Sequence, residues 1–440
     1  MKNKKIFLIL LAVLFILGLI YLYYYRPIVD DELFNFGFAK SILDGRVPYV
    51  DFNMIIPPLF PYFLSLILGI FGKKLLVYHI LLVIMGLIIT FISYQRIGFR
   101  AIALYCLYLI YPYTGYNSFC LLLFMLLISF EGKDSKYQDI RDAIIISLMF
   151  LTKHTLGLLI LPSIIFSKHK KKTISIYVVS ILLLVSYLFI NHSIFYFIDY
   201  CVMGMFEFGS KNGEVSVLLF VELVIIIVLF FFALKRRKKG YYYLLCFQIM
   251  SFPVANYVHF LISFIPIMYY ILLYFKKSFI GTIFFTGFSM AFFVIFSLSI
   301  YFIRYDYHFL EHYPKNSFMK DRLTYTYMAH SIDILNSQLD EIEYDDIYIL
   351  GSISYWMKLN LDMPIDKYDI INHGNMGYLV YREYIKEIDD NCKNKKCLFI
   401  INDEEALNKF DNQVSVEVLE YVKNSYVQGY SSSIYSIYVS

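Results

Sequence analysis

Long apolar runs separated by short polar stretches fill the first three hundred positions, and from Arg304 onward the pattern becomes mixed and alternating. Ile6–Tyr25 is an apolar run of the length that crosses a bilayer, about 20 residues. Lys2, Lys4 and Lys5 precede it, and Tyr-Leu-Tyr-Tyr-Tyr-Arg-Pro follows it without a small-x-small cleavage site. It therefore reads as an uncleaved signal anchor with its N-terminus in the cytoplasm. Further apolar runs predict helical spans at 75–95, 98–113, 116–130, 141–152, 155–166, 174–190, 216–234, 241–252, 260–275 and 279–303, eleven spans with the first. Several are short for a full crossing, as broken or partial helices are.

Pro57–Gly72 is apolar as well, but roughly fourteen apolar residues suit a helix lying on the membrane better than one crossing it. Charge decides the matter. If this segment crossed, the clusters Lys168–Lys172 and Lys235–Lys239 would lie outside the cell; if it lies on the outer surface, both lie inside. Lysine and arginine favour cytoplasmic loops, so the segment is read as interfacial. The C-terminus then lies outside, and Lys73 and Lys74 are the discordant pair.

Composition agrees with a multi-pass protein of the cell membrane. Hydrophobic residues make up 59% of the 440 and charged ones only 17%, too few charges to cover a water-facing surface of this size. A soluble enzyme, a disordered chain and a disulfide scaffold are excluded. The net charge of +4 carries little information, and no basic run is interleaved with aromatics outside the short loops, so nucleic acid is not an expected partner. Cys106, Cys120, Cys201 and Cys246 fall in or beside apolar runs and read as small hydrophobes. Cys392 and Cys397 lie in the polar tail, where a disulfide requires an extracytoplasmic setting.

Two units follow: a transmembrane part, 1–303, with a first outer loop at 26–74 carrying interfacial helices, and a small extracytoplasmic α/β domain, 304–440. In the tail, Asp321–Leu339 has helical spacing, Ile347–Leu350 and Leu398–Ile401 read as buried strands, Tyr378–Ile388 as a helix, and Ser431–Val439 alternates like an edge strand.

The first outer loop is richest in candidate chemistry. Asp30, Asp31 and Glu32 stand where the first span leaves the membrane, ahead of an apolar helical stretch over 31–43 that puts them at a helix N-terminus, where negative charge is favoured. Adjacent carboxylates repel, so one holds its proton more tightly, which suits a general base acting on a hydroxyl. An acidic collar facing water is the alternative. Lys153 and His154 sit between two short apolar runs on the same expected face, where a charge is costly unless solvated or paired with an anion such as a phosphate. A snorkelling lysine is the plainer reading.

The string Asp31-Glu32, Ala39, Gly45, Pro48-Tyr49, Asp51 and Pro57-Pro58-Leu59 resembles the first-loop signature of GT-C membrane glycosyltransferases, in the branch of the protein O-mannosyltransferases and lipid A aminoarabinose transferases. The resemblance implies two interfacial helices before the second span, a sugar donor linked to polyprenyl phosphate, and inverting transfer on the outer face to a glycan, lipid or protein. It implies Asp31 as catalytic base with Glu32 beside it. Leu151–Gly157 is similar to a Thr-Lys-Gly or Lys-Gln segment of that family, except at His154. Phe252–Phe260, with Tyr257, His259 and the later Pro266, resembles its donor-phosphate segment but lacks the arginine. Lys153, His154 and His259 are thus the expected phosphate ligands, and an interfacial histidine is the plainer reading of His259.

Asp30, Asp51, Asn53, Tyr113, Tyr116 and Tyr257 are expected to line the substrate groove. A divalent ion, Mg or Mn, held by Asp30, Asp31, Glu32 and Asp51 stays open, because the branch resembled is largely metal-independent. The loop 191–215, with Asp199 and Glu207, is a candidate cover, and Asp369 and His373 belong to a turn in the tail. Two rivals remain at this point. A transporter of lipid-linked glycans would need polar groups mid-span, where Glu222 is the main example; a catalytically silent scaffold would keep the fold alone.

Overall fold

A computed structural model describes residues 2–26, 30–110, 115–131, 137–206, 217–236, 239–249 and 257–275. In the C-terminal part it describes 310–312, 322–325, most of 334–351, 354–369, 377–379, 383–402, 416–431 and 435–440, with single positions at 287, 291 and 295. The expected span 279–303 lies outside the described residues apart from those single positions.

Helices dominate, and the apolar runs become helices nearly where the pattern predicts. α1 (Lys2–Ile20) ends in a π-helical turn at Tyr21–Tyr25, and α2 (Asp30–Leu43) and α3 (Leu59–Phe71) form the first loop. Then follow α4 (Leu75–Ile97), α5 (Ala101–Ile110), α6 (Gly115–Ser129), α7 (Gln138–Thr152), α8 (His154–Ile160), α9 (Lys170–Ile190), the short α10 (Ile194–Phe197), α11 (Val217–Arg236), α12 (Lys239–Ile249) and α13 (Tyr257–Tyr274).

Three described segments are long and apolar enough to cross a membrane: Lys4–Tyr25, Leu75–Ile110 and Lys170–Ile190. The middle one is a helical hairpin. Gly98 takes φ +64°, a left-handed value that suits glycine, and there α4 gives way to α5. α5 folds back so that the Tyr108 ring covers Gly86, where a Cβ would lie 2.5 Å from it, and the Tyr108 hydroxyl donates to the Leu82 carbonyl at 2.8 Å. α4, at 23 residues and about 34 Å, therefore matches the bilayer while α5 is partial. α3 has 13 residues, about 20 Å, too short to cross hydrocarbon about 30 Å thick. It buries Phe60, Leu64 and Leu68 and leaves Leu66, Ile70 and Phe71 exposed.

The tail contains a hairpin of β1 (Leu310–His312) and β2 (Leu323–Tyr325), then β3 (Asp346–Leu350), α14 (Ser354–Asn360), α15 (Tyr384–Cys392), β4 (Cys397–Asn402), α16 (Val416–Ser425), β5 (Val427–Ser431) and β6 (Tyr435–Val439). Its four-stranded sheet has the order β3-β4-β6-β5, with β3 and β4 parallel and the other pairs antiparallel. Three tail expectations need correction. Residues 323–325 are strand rather than helix, because they pair with 310–312. The helix expected from Tyr378 begins at Tyr384, because the amides of Tyr378 and Leu379 donate to the Asp199 carboxylate at 3.0 and 2.9 Å. The alternating C-terminal strand, β6, is interior, with β5 at the edge. Cys392 and Cys397 form a disulfide.

The tail sits directly on the first loop. Tyr355 of α14 packs its ring 4.7 Å from Phe34 and 6.0 Å from Phe38, both on α2. Arg46 donates to the Ile365 carbonyl, and Lys40 pairs with Asp362 at 3.0 Å. A Cβ on Gly37 would meet Ile365 at 2.1 Å, so α2 approaches the tail as closely as a bare glycine allows.

Candidate active site

Consecutive residues on an α-helix point about 100° apart, so Asp31 and Glu32, in the first turn of α2, face different neighbours. Glu32 is buried, 1% exposed, and turns toward α4. There it pairs with Nε2 of His79, while Nη2 of Arg322 reaches the same carboxylate oxygen at 3.3 Å. Burial alone would raise this carboxyl, but His79 and Arg322 outweigh it and hold Glu32 down at about 2. Glu32 is therefore an anion at every physiological pH. His79 serves it as a donor through Nε2–H, which leaves the buried Nδ1 without a partner.

Arg322 comes from the start of β2 and is fully buried. Besides Glu32 it serves the frayed end of the first helix, where the last carbonyls have no helical donor. Its Nη1 donates to the carbonyls of Leu22 and Tyr23, the latter at 2.7 Å, and its guanidinium lies 5.4 Å from the centre of the Tyr23 ring.

Asp31 remains partly accessible. Burial raises its carboxyl to about 6, against the opposing pull of Arg26 and Lys153. Lys153 stands at the break between α7 and α8, where an extended backbone (φ −146°, ψ 93°) interrupts the helix. Its ammonium donates to Oδ1 of Asn117 at 3.0 Å and lies 5.7 Å from the centre of the Tyr116 ring. Asn117, in the first turn of α6, is fully buried, and its Nδ2 has no hydrogen-bond partner. The arrangement is a carboxyl raised by burial to about 6, faced by two cations and, at Asn117, an amide N–H without a partner.

Other expected residues lie elsewhere. The Asp51 carboxylate accepts the Val47 amide at 2.7 Å and closes a turn. Asn53 is buried in the same loop, near Met54, whose carbonyl accepts from the Cys201 thiol at 3.4 Å. His154 turns its ring toward Phe197 and bonds to the backbone of Cys201. His259 is half-buried in the first turn of α13. Tyr113, Glu207, His373 and the side chains of Asp30 and Tyr257 lie outside the described residues. Asp199 is buried and serves the tail as the acceptor for residues 378–379. Among the described side chains, the acids grouped for a divalent cation are not gathered to hold one. Asp51 is spent on its turn and Glu32 on two cationic or donor partners, and no group of three metal-ligating residues occurs among the described residues.

Sequence reasoning missed His79, Arg322, Asn117 and the role of Arg26. A histidine within an otherwise apolar span was a readable signal for His79. Arg322 had none, being one charge among many in a polar tail.

No family model matches the chain, and no curated protein matches it. Solved structures do. The crystal structure of ArnT from Cupriavidus metallidurans in the apo state aligns with a TM-score of 0.61 at 10% identity, covering 99% of this chain and 98% of that one. The same protein bound to undecaprenyl phosphate aligns with a TM-score of 0.57 at 11% identity, over 99% and 97%. The chain thus shares the fold of ArnT.

Proposed function

We propose that this chain is a membrane glycosyltransferase of GT-C type that moves a sugar from a polyprenyl-phosphate donor to an acceptor hydroxyl outside the cell, with Asp31 as the base. One observation carries the reading: a carboxylate that titrates near 6, faced by Lys153 and Arg26, in a fold shared with a protein solved with undecaprenyl phosphate.

The charges balance through the reaction. Arg26 and Lys153 against ionised Asp31 leave one positive charge, which the single negative charge of a phosphodiester donor cancels. The acceptor oxygen attacks the anomeric carbon opposite the phosphate, its proton passes to Asp31, and the carbon–oxygen bond to phosphate breaks with its electron pair on phosphate. The configuration inverts. Asp31 is then neutral, and the leaving phosphate monoester carries close to two negative charges against the same two cations. Stabilising charge that develops in the transition state is usually the largest catalytic contribution. Asn117 holds Lys153 and has an amide N–H left for the phosphate. His259 is assigned to the same phosphate by resemblance, and Tyr116 to the groove.

The topology belongs to this reading: eleven spans, a cytoplasmic N-terminus, α2 and α3 on the outer surface, and residues 304–440 as an extracytoplasmic domain. The disulfide Cys392–Cys397 supports that side for the tail. In liposomes, Asp31→Asn is expected to fold and to bind polyprenyl phosphate while losing sugar transfer; full transfer by that variant would refute the assignment.

A further inference from the structure

Arg322 reaches the site from a strand of the tail, 290 residues away in sequence from the carboxylate it contacts. It is fully buried, and it contacts two carbonyls of the first helix end, one oxygen of Glu32 and the face of Tyr23. A buried cation of this kind is costly unless it answers a need. The need is Glu32. Two adjacent carboxylates at one helix N-terminus compete for protons, and a second anion beside Asp31 would also cancel the positive charge required for a lipid phosphate.

We propose that Arg322 is a positioning residue that neutralises Glu32 and caps the first helix. Glu32 then draws little on Arg26, Lys153 and Arg26 act on Asp31, and the tail sets the working charge of the site. The proposal rests on the reading of Asp31 given above. Among the described side chains, the charged and titratable groups around Asp31 are Glu32 on its own helix, Tyr78 and His79 on α4, Tyr116 on α6, Lys153 at the α7–α8 break, Arg26 after the first helix, and Arg322. Of the cations, Arg322 contacts Glu32 directly. Its removal leaves the carboxylate with His79, a donor but a weak counter-charge, and with Arg26, whose pull it then takes from Asp31. Asp31 then shares its surroundings with an unscreened anion, so its proton leaves at higher pH and an incoming phosphate meets less positive charge.

The test uses the full chain in detergent micelles and the methyl ester of undecaprenyl phosphate, a lipid phosphodiester whose single charge does not change between pH 4.5 and 8.5. Its affinity should fall as Asp31 ionises, with a midpoint near 6 in the wild type that is absent in Asp31→Asn; the later fall as Lys153 loses its proton, at about 8 in the wild type, is a separate step. Arg322→Met should weaken binding at neutral pH by about tenfold or more and move the midpoint up by about one unit, the scale on which a neighbouring charge acts. The double variant Glu32→Gln/Arg322→Met, with both charges removed, should return the midpoint toward the wild-type value. A merely structural arginine would not be rescued in this way. An unmoved midpoint in Arg322→Met, or a double variant no better than the single, overturns the proposal. If Arg322→Met does not fold, Arg322→Lys and the double variant decide: lysine should hold the midpoint while losing thermal stability. If Asp31→Asn removes the binding midpoint but keeps sugar transfer, the base assignment fails while the role of Arg322 stands.

Discussion

Two polar clusters sit at opposite ends of the same helices and are built to opposite purposes. His79 and Arg96 lie on α4, separated by about 26 Å along its axis, and each belongs to one cluster. At the Arg96 end the described acids are answered within the protein. Asp142 pairs with Arg141 at 2.7 Å and with Lys239 at 2.8 Å. Glu131 accepts the Gly240 amide at 2.8 Å and the Tyr270 hydroxyl at 2.7 Å, and its carbonyl accepts from Arg96 at 2.6 Å. At the His79 end one acid, Glu32, is answered in the same way, while Asp31 is faced by two cations and left partly accessible. The contrast separates a clamp between helices from the cluster proposed above to receive an anion. A clamp balances its charges internally; a site keeps an imbalance that its ligand corrects.

Substitutions that cross the two clusters test this difference. The largest effect is expected for Asp31→Asn, with sugar transfer reduced about 10²–10⁴-fold, the usual worth of a general base, and no loss of thermal stability. Asp142→Asn at the other end should leave transfer unchanged and lower the unfolding temperature. Next, Lys153→Met should weaken binding of undecaprenyl phosphate by about tenfold to a hundredfold, as loss of a charge-assisted contact does. Lys239→Met should leave that affinity unchanged and lower stability by about 1–2 kcal/mol, because Arg141 still answers Asp142.

The pH dependence of transfer sharpens the comparison further. A base must be ionised and the phosphate-holding lysine protonated, so kcat/KM should rise as pH increases through about 6 and fall again as Lys153, lowered by burial, loses its proton near 8. Glu32, held at about 2, contributes no limb in that range. Its contribution to stability is complete above the unfolded carboxyl value of about 4.3 and disappears only as the pH falls through 2. The smallest effect is expected for Asn117→Ala, which frees Lys153 to move: affinity should drop roughly threefold to tenfold.

The helices of the apolar part were legible in the sequence, though among the described residues three segments are long and apolar enough to cross a membrane. A run of apolar residues has few alternatives to a helix in hydrocarbon, and the expected spans from Ile6 to Phe275 match helices within a few residues. The tail was less legible, since short segments are decided by their partners. Residues 323–325 have helical spacing but pair with 310–312, and the amides of 378 and 379 are captured by Asp199. At the site, Asp31 and Lys153 stood out as charges at the ends of apolar runs, and the structure brings them together. His154 and Asp51 stood out equally, yet one turns toward Phe197 and the other closes its own turn. Spacing shows that a charge is unusual but not which way it faces. Arg322 marks the limit, because only the folded chain brings it to Glu32.

The central claim concerns which of the two clusters receives the lipid phosphate. A structure of the full chain with undecaprenyl phosphate bound answers it most directly. The phosphate is expected beside Lys153 and Arg26, within hydrogen-bond reach of Lys153 Nζ and next to Asp31. A phosphate seated instead at the Asp142–Lys239 end, or a bound lipid whose phosphate touches neither Lys153 nor Arg26, would contradict the account.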